Sequence, residues 1–203
     1  MQIVIADKSH IIYAETICNT IEEASKVRGT GIAKRKPEYI AAKMENGNAV
    51  IALSNGKFAG FCYIEAWGHG KFVANSGLIV HPDFRNLGLA KKIKEVVFKH
   101  SRKKFPDSKV FSITTGLAVM KLNSDLGYKP VTFSELTDDQ SFWDGCQTCK
   151  NFDVLTRTNR KMCLCTGMLY DPKAKEQEKT VKEGTFKRLK NIKEALFLKK
   201  DKK

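Results

Sequence analysis

The sequence contains no apolar run of about 18 residues, the length that a membrane-spanning helix needs. Its start, MQIVIADKSH, lacks the basic segment, apolar stretch and small-residue cleavage site of a secretory leader. Gly and Pro are not enriched, at 14 and 5 of 203 residues, and no internal repeat is present, which argues against a disordered or repeat-built chain. We therefore expect a cytoplasmic protein with one globular domain over residues 1–171.

Acidic residues are too few to balance the basic ones, since 22 Asp and Glu face 36 Lys and Arg, for a formal net charge of +14. Half of this excess lies in residues 173–203, and we expect a basic tail or helix over residues 172–203 with Phe186, Leu189, Ile192 and Leu196 on one face. A basic chain attracts nucleic acid, acidic membrane surfaces or coenzymes that carry phosphates. Few aromatic residues in the tail are suited to base stacking, which disfavours nucleic acid.

The apolar pattern predicts a mixed α/β (α+β) domain in the order β-α-α-β-β-β-α-β-α-β, followed by one more strand. Strands at residues 49–54 and 57–67 are joined by Asn55-Gly56, a strong hairpin signal. Pro82 ends the strand at residues 71–81, because proline has no amide hydrogen to donate. An amphipathic helix follows at residues 89–105. The last strand, at residues 162–170, comes after an irregular stretch at residues 135–161.

The junction between the strand at 71–81 and the next helix has the composition of a phosphate-binding turn. It reads Arg85-Asn86-Leu87-Gly88-Leu89-Ala90. A helix N-terminus presents unpaired amides and a partial positive charge, and the small residues Gly88 and Ala90 let a pyrophosphate approach the backbone closely. Arg85 adds a fixed cation. Because a strand precedes the turn and a helix follows it, coenzyme binding is favoured over simple helix capping.

The segment LIVHPDFRNLGLA, from Leu78 to Ala90, resembles the signature of the GNAT acyltransferase superfamily. That signature is Gln or Arg, two residues, Gly, one residue, then Gly or Ala, after a strand ending in hydrophobic-x-Pro. The element order over residues 1–171 is also similar. Asn86 replaces a common Gly, which Asn tolerates because it reaches unusual backbone angles.

The resemblance implies a GNAT fold, with a splayed, mostly antiparallel sheet and acyl-CoA wedged between two diverging strands. It implies that the main chain of Leu78, Ile79 and Val80 binds the pantetheine and polarises the thioester, while the amides of residues 85–90 hold the pyrophosphate. The donor is then acetyl-CoA or succinyl-CoA, and an amine attacks its thioester directly. We also expect a small-molecule amine acceptor, with a homodimer as an option.

Candidate catalytic residues follow from the same resemblance. The reaction needs a neutral amine, an oxyanion site and a proton for the leaving thiolate. Glu65, on the strand before the splayed one, and His81, at the end of the splayed strand, are candidate bases. Asn123 stands where the family phrase Leu-Tyr-x-x-Leu-Gly-Phe has its usual general-acid Tyr. Asn cannot protonate a thiolate and could only hydrogen-bond the sulfur or a water.

The loop between the first two helices usually helps to form the acceptor pocket of this family, and here it carries Arg28, Lys34 and Arg35. Three cations suit an acceptor with carboxylates, although a solvated basic loop is the simpler explanation. The chain also resembles small GNAT proteins linked with arginine biosynthesis, which points to N-acylation of glutamate or a related amino acid. The alternatives are a polyamine or protein N-acetyltransferase, and a non-catalytic basic module that binds zinc or nucleic acid.

Residues 136–161 form an insert before the last strand. One close pair of cysteines lies in this insert, and a second pair lies in the segment that follows it. Cys146 and Cys149 have knuckle spacing, and Cys163 and Cys165 would share one face of a strand. Four thiolates can hold a structural zinc in tetrahedral geometry. Buried free thiols and a redox pair are the alternatives.

Overall fold

A computed structural model of the chain describes residues 1–28, 33–174, 186, 188 and 189. The chain divides into two units, Met1–Tyr170 and Asp171–Lys203. In the second unit Phe186 and Leu189 are helical and exposed, while Ile192 and Leu196, the rest of the predicted apolar face, lie outside the described residues. Within the described ranges, no helix is both long enough and apolar enough to cross a membrane.

Seven strands and six α-helices are described in the first unit. The strands are β1 (Gln2–Ile5), β2 (Ala49–Ser54), β3 (Lys57–Trp67), β4 (Phe72–Val80), β5 (Lys109–Thr114), β6 (Lys129–Val131) and β7 (Thr166–Tyr170). The helices are α1 (Ala14–Arg28), α2 (Pro37–Glu45), α3 (Leu89–Lys104), α4 (Leu117–Asp125), α5 (Gln140–Asp144) and α6 (Phe152–Arg157).

The strands form one sheet in the order β1-β2-β3-β4-β5-β7-β6. Neighbouring strands are antiparallel except for β4 and β5, which are parallel. The β4–β5 pairing covers only Phe72–Ala74 against Lys109–Phe111 and then stops. The predicted mixed α/β, mostly antiparallel and splayed sheet is therefore confirmed.

The two faces of the sheet carry different helices, and strand alternation sorts the side chains between them. Ile51, Phe61 and Tyr63 pack with α1 and α2 on one face. Val50, Cys62, Ile64 and Val73 pack with α3 on the other. Because both faces are covered, β2 and β3 are apolar almost throughout.

The insert covers the β5 end of the face that carries α1 and α2. Ala74, Phe111 and Leu169 form a cluster there with Trp143 and Leu155 of the insert. The Trp143 indole donates to the Thr137 carbonyl oxygen at 2.8 Å, which anchors α5 to the chain before it. A cleft is thus left on this face between α2 and the insert, above the point where β4 and β5 diverge.

Three elements differ from the sequence prediction. The predicted order places a helix directly after the first strand, but Lys8–Tyr13 is a 3-10 helix capped by Asp7, and the first α-helix begins at Ala14. The stretch 135–161, predicted to be irregular, contains α5 and α6, which pack into the cluster of Trp143 and Leu155. The last strand starts at Thr166, and Cys163 and Cys165 therefore lie before it, not on one of its faces.

Candidate active site

The cleft opens where β4 and β5 separate, and its volume is about 530 Å³. Beyond Ala74, the edge of β4 that faces β5 has no strand partner in the described sheet. Ser76, Gly77 and Leu78 of that edge line the cleft, as does the segment that runs from Ser112 to Gly116. A polar chain such as pantetheine can add to this free edge through main-chain hydrogen bonds.

A β-bulge in β4 shapes the floor of the cleft. Phe61 pairs with Ile79 and Tyr63 with Ser76, so that Gly77 and Leu78 together oppose one residue of β3. Gly77 has φ of +65°, and a Cβ at this position would lie 2.6 Å from Cε1 of Tyr63. The bulge therefore requires glycine for both conformation and space. Both residues of the bulge, Gly77 and Leu78, line the cleft.

The turn from Arg85 to Ala90 is the predicted pyrophosphate site, and this role stays a prediction. The backbone amides of residues 86–90 have no hydrogen-bond acceptor in the part of the chain that the structure describes. Gly88 caps α3 with φ of +70°, and a Cβ there would meet nothing within 4 Å. Asn86 has φ of +62°, which shows how Asn is accommodated in this turn. The Arg85 side chain donates from Nε to the Val80 carbonyl oxygen at 3.3 Å.

On the opposite side of the cleft, polar side chains of α2 and β3 form a cluster around Glu65. Its carboxylate accepts hydrogen bonds from the Tyr39 hydroxyl and from the Lys43 ammonium. Tyr39 packs edge-on against Tyr63, with ring centroids 5.7 Å apart. Burial raises the pKa of Tyr39, so this hydroxyl stays protonated and remains a donor to Glu65.

Arg35 completes the cluster. Its Nε donates to the Tyr63 hydroxyl at 2.8 Å, and its guanidinium carbon lies 6.0 Å from the Tyr39 ring centroid. Within the described residues no carboxylate lies within salt-bridge distance of this guanidinium. Its Nη1 also donates to the Lys34 carbonyl oxygen at 3.0 Å. Among the described residues, Nη2 and the second hydrogen of Nη1 have no acceptor, and they remain for a ligand in the cleft that Arg35 lines.

The other two cations predicted for the acceptor loop differ from Arg35. Lys34 lines the cleft, but its ammonium pairs with Glu22 at 3.1 Å. Its backbone amide donates to the Thr148 hydroxyl at 3.0 Å, which ties this loop to the insert. Arg28 is the last residue of α1, and its side chain lies outside the described part of the structure.

The three predicted catalytic residues lie in different surroundings. Glu65 lines the cleft. His81 does not line it; the imidazole packs against Phe58 and Phe84 at the end of β4. Asn123 is fully buried, and its Nδ2 donates to the Ser112 hydroxyl at 3.2 Å. Its role, like those of Glu65 and His81, stays a prediction, but neither His81 nor Asn123 borders the cleft.

The four cysteines of the insert region line the cleft near Arg35. In the described ranges, no group of three or more His, Cys, Asp or Glu side chains is arranged to hold a metal ion. Cys163 donates to the Asn151 carbonyl oxygen at 3.9 Å, while Cys149 accepts from the Asn151 amide at 3.4 Å. Burial raises the pKa of Cys146 to about 11, as expected for thiols in apolar surroundings.

The sequence pattern of the Acetyltransferase (GNAT) family matches residues 18–119, half of the 203 residues. The matched segment runs from α1 through the bulge of β4 and the turn at residues 85–90 to α4. This chain belongs to the GNAT family. It is an acyl-CoA-dependent N-acetyltransferase, and the family predicted from the turn is confirmed. No curated protein sequence matches the chain.

Solved GNAT structures share the fold at low sequence identity. The N-acetylglutamate synthase of Neisseria gonorrhoeae, solved with coenzyme A and N-acetyl-glutamate, is 15% identical at a TM-score of 0.61, over 84% of this chain and 34% of that one. Rv2747 of Mycobacterium tuberculosis, solved with CoA, is 13% identical at a TM-score of 0.60, over 84% and 99%. The protein yncA of Salmonella typhimurium, solved with acetyl-CoA, is 16% identical at 0.56, over 84% and 93%.

Several residues of this GNAT cleft could not be predicted from the sequence. Tyr39, Lys43 and Tyr63 surround Glu65 and Arg35 but are separated from one another by up to 24 positions, and none belongs to a recognisable motif. Gly77 carried one weak signal, a glycine inside a strand pattern, which often marks a bulge.

Proposed function

We propose that this GNAT enzyme transfers the acetyl group of acetyl-CoA to the α-amine of an acidic amino acid, with glutamate as the leading candidate. The observation that carries the proposal is the guanidinium of Arg35, partly buried in the cleft without a carboxylate partner among the described residues. A substrate carboxylate supplies that partner in bidentate geometry.

The neighbouring Glu65 suits the amine of the same substrate. Its carboxylate oxygens accept from Tyr39 and Lys43 and still have lone pairs for an ammonium group or a water. An amino acid whose carboxylate pairs with Arg35 would then direct its amine to Glu65. In this arrangement Glu65 accepts the proton that the amine must lose before or during its attack on the thioester.

The charge around the cleft argues against a polycationic acceptor. Four cationic side chains and two anionic ones line the cleft: Lys34, Arg35, Lys36, Lys94, Glu65 and Asp144. A polyamine would face net repulsion there, whereas a dicarboxylic amino acid would not. The fold shared with an N-acetylglutamate synthase supports the same acceptor class, although the chain spans only about a third of that protein.

The first test is a screen of acetyl-CoA and succinyl-CoA consumption with glutamate, glutamine, aspartate, spermidine and a peptide N-terminus as acceptors. We expect glutamate with acetyl-CoA to give the highest kcat/KM. A preference for spermidine or the peptide would overturn the proposal, and a preference for succinyl-CoA would change the donor alone.

The second test changes Arg35. Arg35→Met should raise the KM for the acceptor by about 100-fold, because a charge-assisted bidentate contact is lost. Arg35→Lys keeps the positive charge but loses the planar guanidinium that binds a carboxylate through two hydrogen bonds, and it should raise the KM for the acceptor by a smaller factor. The Kd for CoA, measured by calorimetry, should stay unchanged in both variants. An unaltered acceptor KM in Arg35→Met would remove Arg35 from the acceptor site.

We also propose, from cysteine spacing, that Cys146, Cys149, Cys163 and Cys165 bind a structural zinc ion. Both pairs line the same side of the cleft, which supports a shared site. Metal binding would require the thiols to deprotonate and to move closer together. Metal analysis should find one zinc per chain in the purified protein and none in Cys146→Ser. A wild-type protein that is metal-free and fully folded would end this proposal.

A further inference from the structure

Lys94 is a buried lysine that the acceptor proposal does not use. It lies on α3, and only 1% of the residue is exposed to solvent. Although α3 packs on the face of the sheet opposite to α2, Lys94 borders the cleft. It can do so because β4 and β5 have already diverged at this level, their pairing having ended at Ala74 and Phe111. The Lys94 side chain therefore comes from the α3 face of the sheet and borders the cleft where β4 and β5 are no longer paired.

A small polar network holds the Lys94 ammonium in position. Its Nζ donates to Oδ1 of Asn75 at 3.4 Å and lies 5.1 Å from the centroid of the Tyr128 ring. The Tyr128 hydroxyl donates to the same oxygen at 2.9 Å, and Nδ2 of Asn75 donates to the Ser101 hydroxyl at 2.8 Å. Asn75 is the first residue of β4 beyond its pairing with β5. The network therefore sits at the vertex of the splay.

No carboxylate is among the groups that affect the ionisation of Lys94. Burying an ammonium group without a counter-ion is unfavourable, so a position filled by an apolar residue of similar length would favour stability. Beyond this polar network the neighbouring cluster of α3, β2 and β3 is apolar, so a lysine at its edge with the cleft calls for a chemical reason.

The residue that stands in place of the usual acid on α4 cannot supply a proton. Asn123 is an amide, it is fully buried, and it is bonded to Ser112. A leaving thiolate at the vertex would therefore have no proton donor from α4. Lys94 lies on the same face of the sheet as the buried Tyr128. Among the described residues of α3, it is the one that lines the cleft, and its side chain can carry a proton.

We propose that Lys94 is the catalytic acid of this enzyme and protonates the CoA sulfur as it leaves. The amine nitrogen forms its bond to the acetyl carbon, the carbon–sulfur bond breaks, and its electron pair goes to sulfur. Lys94 gives one proton to that sulfur and becomes neutral, while the surplus proton of the amine goes to Glu65 or to water. Lys94 regains a proton from solvent when the products leave. The inference rests on acetyl transfer from CoA and not on the identity of the acceptor.

The ionisation of Lys94 agrees with this role. Burial lowers its pKa to about 8. Cys62 and Tyr128 are the other titratable groups that face Lys94, and burial raises the pKa of both, so they stay neutral near pH 8. The ammonium is present below the pKa of Lys94 and is lost above it, so acid catalysis should decline as pH rises through this value.

The decisive experiment needs no acceptor. The thiolate absorbance of CoA bound to the protein is titrated against pH, with desulfo-CoA as the blank, in wild type, Lys94→Met and Lys99→Met. Lys99 is an exposed lysine of the same helix and serves as the matched control. We expect the bound thiol to have a pKa about one unit higher in Lys94→Met than in wild type or Lys99→Met. Identical titrations in all three proteins would overturn the proposal.

Measurements of kcat then distinguish proton donation by Lys94 from a purely electrostatic effect of its charge. Lys94→Met should lower kcat with acetyl-CoA by about 100-fold or more, with an unchanged Kd for CoA. Acetyl transfer from an aryl thioester, whose thiolate leaves without a proton, should be nearly unaffected. Lys94→Arg keeps the charge but does not release a proton, so it should stay slow. Full activity of Lys94→Arg, or an equal loss with both thioesters, would contradict the assignment of Lys94 as the acid.

Discussion

The turn predicted to bind the coenzyme and the proposed acceptor side of the cleft are built in opposite ways. The turn presents unpaired backbone amides over five consecutive residues, 86–90, and it has two left-handed positions, Asn86 and Gly88. The acceptor side uses side chains from α2, β3, the loop before α2 and the insert, which meet only when the sheet has formed. The first site is local in sequence and the second is assembled from distant segments.

Because of this difference, substitutions should affect the turn and the acceptor side of the cleft in different ways. A pyrophosphate site made of amides needs small residues and a helix N-terminus, and the identity of most side chains matters little. A side-chain site such as Arg35, Tyr63 and Glu65 can change its acceptor through single substitutions without altering the backbone. We therefore expect mutations to separate coenzyme binding from acceptor binding cleanly, and the following three predictions test that separation.

The largest effect is expected at the turn. Gly88→Asp should weaken CoA binding by about 100-fold or more, because it sets a negative charge against the phosphates and strains a residue at φ of +70°. Gly56→Asp is the matched control, since Gly56 has φ of +74° and open space around it in the β2–β3 hairpin. Calorimetry with CoA should find normal affinity in the control. Equal weakening in both variants would mean that backbone strain, not the phosphate site, explains the loss.

An intermediate effect is expected at the bulge, where the two sites meet. Gly77→Ala should push the Tyr63 ring aside, lower stability by about 1–3 kcal/mol and reduce kcat. Gly60→Ala also creates a clash, with Cδ1 of Ile93 at 2.5 Å, but it lies away from Tyr63 and should lower stability alone. Thermal unfolding and steady-state rates of both variants make the comparison. A Gly77→Ala enzyme with normal kcat would show that the bulge plays no part in the reaction.

The smallest effect is expected where the acceptor loop touches the insert. Thr148→Ala removes the hydroxyl that accepts from the Lys34 amide at 3.0 Å. The loop that carries Arg35 should become less well positioned, and the acceptor KM should rise by about 3-fold to 10-fold, since one hydrogen bond contributes about 1 kcal/mol. CoA affinity should not change. If instead the Kd for CoA rises and the acceptor KM does not, the insert would belong to the coenzyme side.

Much of the fold could be predicted from periodicity and turn chemistry. The hairpin at Asn55-Gly56, the stop at Pro82 and the stripe of α3 are all local signals, and the structure has the corresponding elements within one or two residues. The insert was predicted poorly. Residues 135–161 hold α5 and α6, helices of five and six residues, which are too short to show a helical period. They pack into one apolar cluster, α5 through Phe142 and Trp143 and α6 through Phe152 and Leu155.

The candidate site was predicted only in part, for the same reason. Glu65 and Arg35 were named from a charge pattern and a resemblance, and the structure brings them to one cleft with Tyr63. His81 and Asn123 were named from their positions along the chain, yet His81 packs on Phe58 and Asn123 points into the core. The position of a residue at a strand end or in a helix does not determine whether its side chain faces the cleft or the core, because tertiary contacts decide that orientation.

The amino-acid sequence alone determined the conformation of the turn at residues 85–90, because the left-handed backbone at Gly88 and the helix start at Leu89 depend on neighbouring residues and not on distant ones. Only the tertiary structure decided which charges share the cleft. Because β4 and β5 diverge, Lys94 on the α3 face of the sheet borders the cleft. On the opposite face, α2 and β3 bring Tyr39, Lys43 and Glu65 together. Such contacts join residues far apart in the chain, and their energies depend on burial that no local pattern encodes.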